Sequence, residues 1–132
     1  MFPGVHDSEV VAYSVDSRTE ELVLVLAPGT GSASSEFRLL FQGVLAHQLA
    51  YPQLPSIVLD LVEVPAADLI GREWANLAEG YRQCGWPGPW AASLESAVNH
   101  CASTGVKAYE LEQSYGMSGW ILARSVERVG GP

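Results

Sequence analysis

Apolar and polar residues alternate along the first half of the chain, which is typical of strands with one buried face. The pattern predicts strands at 10–15, 22–27, 37–49 and 57–64. The polar run Asp16–Thr19 has the length of a hairpin turn, and Gly43 is expected to mark a bulge in the third strand. The fourth strand is apolar on both faces, which favours a central position in the sheet.

The spacing changes to three and four residues in the second half, which indicates helices with one apolar stripe each. The first stripe is Ile70, Trp74, Leu77 and Tyr81, and the second is Trp90, Leu94, Ala97, Val98 and Cys101. Gly85 and Gly105 are placed to end these helices in the left-handed conformation. Two further strands are predicted at 107–112 and 119–126, followed by a frayed tail at 128–132.

The predicted order is therefore β-β-β-β-α-α-β-β in a single globular domain, residues 1–132. Strict alternation of strands and helices is missing, so a parallel doubly wound sheet is not expected. The fold class is α+β, with a mostly antiparallel sheet of about six strands and two helices packed on one face. The strands that contain Leu22 and Ile57 are expected to lie beneath the helices.

The charge balance narrows the choice of partners. The chain has 15 acidic and 7 basic residues, a formal net charge of -8. Nucleic acids and anionic membrane surfaces are bound mainly through Lys and Arg, so both are poor candidates. A basic protein is the partner that this charge favours.

The sequence also favours a cytoplasmic location. The first fifteen residues lack the basic start and apolar stretch of a secretory signal. The strongly apolar run 22–27 is far shorter than the roughly 18 residues of a membrane span. Cys84 and Cys101 are accordingly expected to be free thiols.

Four motifs approach known chemistry without completing it. The loop Gly29–Ser34 lacks the final glycine and the helix of a dinucleotide site, and Gly116–Gly119 is one residue short of a nucleophile elbow. His6-Asp7-Ser8 contains the residue types of a hydrolytic triad, but adjacency in sequence does not make them converge. Cys84, His100 and Cys101 lack the spacing of a zinc site. No catalytic residue, metal or cofactor is therefore predicted.

Six residues are candidates for binding a partner. Glu110 and Glu112 share one face of a strand, and with Glu20, Glu21 and Glu36 they would form an acidic patch. Trp86 begins the rigid Trp-Pro-Gly-Pro linker, where an exposed aromatic ring is typical of an interface anchor. The predicted binding residues are Glu20, Glu21, Glu36, Glu110, Glu112 and Trp86.

Three segments of the first half resemble small bacterial proteins, among them immunity proteins of polymorphic toxin systems. They are the run His6–Val10, the second hairpin strand beginning Leu22-Val23-Leu24, and Phe41-Gln42-Gly43-Val44. The resemblance implies a cytosolic, acidic, non-enzymatic protein that neutralises a toxin by covering its active site. It carries over no catalytic residue, and it does not extend to Trp86–Trp90 or Tyr115–Trp120.

The leading hypothesis is a non-enzymatic acidic binding protein, immunity-like, that sequesters a basic protein partner. One alternative is a small hydrolase or metal-dependent enzyme that uses His6 or His47 with nearby carboxylates. Another is a homo-oligomeric structural protein with Trp86 or Trp120 buried between copies.

Overall fold

The computed structural model describes residues 5–28, 36–51, 53 and 56–130. These residues form eight strands, three α-helices and one 3-10 turn at Pro89–Ala91. The strands are β1 (Glu9–Asp16), β2 (Glu21–Ala27), β3 (Phe37–Gln42), β4 (Ala46–Ala50), β5 (Ser56–Val64), β6 (Lys107–Tyr115), β7 (Ser118–Ala123) and β8 (Ser125–Val129). The helices are α1 (Ala66–Arg72), α2 (Trp74–Cys84) and α3 (Leu94–Thr104).

All strand pairs are antiparallel, in the order β4-β7-β6-β5-β1-β2-β3-β8. The α+β class and the antiparallel sheet are thus confirmed, and β5 has the predicted central position. The predicted counts of six strands and two helices are too low, and the predicted order of elements differs accordingly.

Both of the additional strands arise because long strands bend. The predicted strand 37–49 divides into β3 and β4 at Gly43, which has a φ of 63°. The predicted strand 119–126, which pairs with it, bends at Arg124, opposite Gly43, and divides into β7 and β8. Pairing continues through the bend, because the Arg124 N–H donates to the Gln42 carbonyl at 2.9 Å and the Leu45 N–H donates to the Leu122 carbonyl at 2.8 Å. The two ends of the sheet are therefore joined through these bent strands.

Three local predictions are also wrong. The first predicted helix is interrupted at Glu73, between α1 and α2. Trp90 lies in the 3-10 turn, because α3 begins later, where the Ser93 Oγ accepts the Ser96 N–H at 3.1 Å as an N-cap. The expected frayed tail is partly strand, since Arg128 and Val129 belong to β8. Gly85 and Gly105 do end α2 and α3 in the left-handed conformation, as predicted.

The core has two parts, one on each face of the sheet. Alternate residues of β2 (Leu22, Leu24, Leu26) and β3 (Phe37, Leu39, Phe41) are buried on the inner face. The helices were expected to cover the strand that contains Leu22, but they cover the outer face of β4, β6 and β7. The apolar stripes of the helices pack there against side chains that point out from these three strands. That outer cluster includes Ala46, Leu69, Leu77, Ala108, Trp120 and Leu122. No helix among the described residues is long and apolar enough to cross a membrane.

Candidate functional site

The predicted acidic residues of the first half lie at opposite ends of β2 and β3. Glu20 and Glu21 end the β1–β2 turn, and the Glu20 carbonyl accepts the Val44 N–H at 2.8 Å. Glu36 directly precedes Phe37, which pairs with Leu26 at the far end of β2. A strand of this length spans about 20 Å, so Glu36 is well separated from the other two carboxylates.

The predicted acidic pair of the second half lies on β6, which is not a neighbour of β2 or β3 in the sheet. Glu110 forms an ion pair with Arg72 of α1, with 2.7 Å between Nη2 and Oε1. The hydrogen bond that Arg72 donates to Glu110 is the main reason that the pKa of Arg72 is raised above its ordinary value. Glu112 is exposed and pairs with Asp60 of β5. The structure therefore does not bring the five predicted carboxylates into one patch.

Trp86 is anchored between the helices and the sheet. Its ring lies against Gly80 of α2, where a Cβ would come within 2.4 Å of ring carbon Cε3. Its centroid is 6.1 Å from that of Trp120, which is only 4% exposed and whose Nε1 has no hydrogen-bond partner among the described residues. Trp120 is thus buried within the chain and is not available as a contact between copies. Trp86 is half-buried, and part of its ring faces a cavity.

That cavity lies between β1, β4 and the segment that follows α2, and we call it the Tyr13 groove. It has a volume of about 330 Å³ and is lined by Tyr13, His47, Gln48, Leu49 and Trp86. The Asn76 Nδ2 donates to the Gln48 Oε1 at 2.7 Å, which fixes the amide of Gln48 at the wall. Burial lowers the pKa of His47 below 6.5, so this wall favours the neutral imidazole.

The groove adjoins an apolar strip that the core leaves uncovered. Tyr13 and Val15 pair with Leu24 and Leu22 of β2, so they project from the same face as those two fully buried leucines. Tyr13 is nevertheless 47% exposed and Val15 is 48% exposed. The sequence pattern placed these residues on a strand, but it gave no signal that their face would be uncovered.

The residues considered for hydrolysis or metal binding do not converge. His6 is exposed, with Nδ1 2.9 Å from the Leu59 carbonyl and Nε2 3.3 Å from the Asp7 carboxylate, whereas Ser8 is fully buried. Cys84 is exposed and Cys101 is buried. Within residues 5–28, 36–51, 53 and 56–130, no group of three His, Cys, Asp or Glu side chains is placed to hold a metal ion. The glycine-rich loop Gly29–Ser34 lies outside the described residues.

A second, smaller cavity combines polar side chains that are far apart in the sequence. It has a volume of about 180 Å³, and its lining includes Glu20, His100 and Arg124. The His100 ring is stacked on Trp90, with 6.0 Å between the ring centroids. Sequence reasoning missed this group because a hairpin turn, the end of α3 and the bend between β7 and β8 each supply one member.

Comparison with known proteins does not assign the chain to a family. No protein-family model matches the sequence, and no curated protein shows significant similarity to it.

Proposed function

We propose that the protein is a non-enzymatic binding protein that sequesters a basic protein partner, with the Tyr13 groove at the centre of the contact. The mode of action resembles that of an immunity protein, which neutralises a toxin by covering it. One observation carries the proposal: an uncovered apolar and aromatic surface lies on a chain with a net charge of -8.

The composition of the groove suits an interface core. Aromatic side chains on a rigid support commonly supply most of the binding energy of an interface. Tyr13 is held on a paired strand, and Trp86 is held by its contacts with Gly80 and Trp120. Little conformational entropy would be lost when a partner covers these rings, since both are already positioned.

The acidic residues around β1 supply the second part of the argument. Glu9 and Asp16 are the two ends of β1, and Glu20 and Glu21 follow across the turn. Arg18 in this turn forms an ion pair with Asp16 at 3.2 Å, so the other three carboxylates carry most of the negative charge beside the groove. Exposed charges at the rim of an interface mainly speed the encounter and select the sign of the partner. An apolar centre with carboxylates beside it therefore favours a partner that presents Lys and Arg around an apolar segment.

Affinity capture from a lysate of the source cells tests the proposal. The bait proteins are the wild type, Tyr13→Ala, and Leu94→Ala as a control, because Leu94 is an exposed apolar residue on α3, away from the groove. We expect the wild type and Leu94→Ala to retain the same basic protein at about 50 mM salt, and Tyr13→Ala to lose it. Capture of acidic proteins, or equal retention by all three baits, would contradict the proposal.

A further inference from the structure

Strand β1 has an unpaired edge over most of its length. One edge pairs with β2 from Glu9 to Asp16. The other edge pairs with β5 only at Glu9 and Val10, and none of the described residues pairs with it from 11 to 16. The separation begins at an irregularity between Val10 and Ala12, where β1 contributes one more residue than β2. Within the described part of the chain, about 20 Å of this edge has no strand paired to its backbone donors and acceptors.

Beyond the bulge between Val10 and Ala12, this edge has no side chain of the kinds that usually prevent strand pairing. Natural edge strands are commonly protected by lysine, proline or a charge that points inward. The sequence from Glu9 to Asp16 is EVVAYSVD, in which the only charged residues are the two at the ends. Between them, Val11, Tyr13 and Val15 are exposed, and Tyr13 continues into the groove.

We propose that this edge binds an extended segment of the basic partner as an added β-strand. This inference rests on the proposed function and specifies how the partner binds. The backbone groups of residues 11–16 would supply the hydrogen bonds, and Tyr13 and Val15 would contact alternate apolar side chains of the segment. A Lys or Arg at one end of the segment would lie beside Asp16 and its ladder partner Glu21. Arg18 forms an ion pair with Asp16, at 3.2 Å, so this corner keeps a second carboxylate for the segment.

Charge argues against a second copy of this chain as the occupant. Each copy has a net charge of -8, which opposes association of two copies at low salt. Symmetric pairing of the open edge, residues 11–16, would also bring an Asp16 carboxylate from each copy to the same short ladder. A basic segment reverses the sign of the charge effect.

Selection from a library of random peptides of about eight residues, the length of the strand, tests the mode of binding. Peptides are selected on the wild-type protein at about 50 mM salt. We expect the selected sequences to alternate apolar residues, to have Lys or Arg at their ends, and to lack proline in the middle. Selected peptides with central proline, or with no basic residue, would overturn the inference.

Two variants locate the site. Val15→Lys places a charge on the inner face of the edge strand. Val129→Lys is the matched control, because Val129 is 40% exposed and lies on β8, which among the described strands also pairs on one edge only. We expect Val15→Lys to weaken binding of a selected peptide at least about tenfold, and Val129→Lys to leave it unchanged. Equal binding by both variants would place the peptide elsewhere and overturn the inference.

A measurement on the unaltered protein does not depend on the folding of a variant. A bound strand should slow hydrogen exchange at alternate backbone amides within 11–16, and N-methylation of alternate residues in the peptide should abolish binding. If basic peptides bind at Tyr13 without slowing these amides, strand addition is wrong while the proposed function stands. If no basic peptide binds at this surface, both proposals fail.

Discussion

Gly119 of β7 lies directly against the backbone of Gln48 in β4: a Cβ at Gly119 would stand 1.9 Å from the Gln48 carbonyl oxygen. Gly119 also pairs with Leu49, so this close approach lies within the β4–β7 ladder. Gln48 and Leu49 are wall residues of the Tyr13 groove. The glycine that resembled part of a nucleophile elbow in the sequence therefore allows β4 to approach β7 and sets the position of one groove wall.

Replacement of Gly119 by alanine should accordingly destabilise the protein. The added methyl group meets backbone atoms that cannot move independently, so we expect the free energy of unfolding to fall by about 3 kcal/mol or more. Gly71→Ala is the control, because a Cβ at that helical position has no neighbour within 4 Å, and it should raise stability by up to about 1 kcal/mol. Urea unfolding of the two variants measures the difference, and equal effects would contradict the close contact.

Ser56 should be a second position at which a small change is costly. Its hydroxyl accepts the buried Met117 N–H at 3.0 Å and donates to the Gln53 carbonyl at 2.6 Å. Ser56→Ala leaves that N–H without a partner, so we expect a loss of about 1–3 kcal/mol. Ser103→Ala removes only an exposed bond to the His100 carbonyl and should change stability by less than about 0.5 kcal/mol. Similar losses for both serines, measured by urea unfolding, would show that the Ser56–Met117 bond is unimportant.

Most of the fold could be predicted from local patterns. Alternation identified β1 and β2, and the glycines after the helical stripes identified where α2 and α3 end. Local patterns did not show that two of the predicted strands are divided. The bend at Gly43 and the matching bend at Arg124 depend on pairing between segments that are distant in the sequence. Trp90 followed the periodicity of a helix, although the Ser93 cap starts α3 after it.

The candidate site was much less predictable. Net charge depends on composition alone, whereas the prediction of an acidic patch requires knowledge of which strands are neighbours. Glu110 of β6, for example, forms an ion pair with Arg72 of α1. Exposure of Tyr13 was equally hidden, since alternation indicates that one face of β1 is buried without showing where the cover ends. Contacts between elements far apart in sequence decide both features.

The two cysteines should differ sharply in reactivity. Cys84 is exposed, whereas burial raises the pKa of the Cys101 thiol to about 11, which leaves about one molecule in a thousand as thiolate at pH 8. We expect a thiol reagent such as dithiobis(nitrobenzoate) to modify one cysteine per folded chain, and both after unfolding in urea. Cys84→Ser should abolish the fast reaction, and Cys101→Ser should retain it. Rapid reaction of two thiols in the folded protein would contradict the burial of Cys101.

His47 should make stability depend on pH. Burial lowers the pKa of its imidazole in the folded state below the ordinary value of 6.5, so the unfolded chain binds a proton more readily than the folded one. The contribution of His47 to stability is therefore fully present above about pH 6.5 and is lost as the pH falls through the lower pKa of the folded state. NMR titration of the His47 ring should give a midpoint below 6.5.

The His47→Gln variant isolates this effect, because glutamine does not titrate. Above about pH 7 the wild type and the variant should differ only by a constant amount in the free energy of unfolding, which makes this range the internal control. Toward more acidic pH the wild type should lose more stability than the variant, since only the wild type must hold a neutral imidazole against protonation at the groove wall. Parallel curves across the whole range, or an NMR midpoint above 6.5, would show that burial does not desolvate the imidazole of His47.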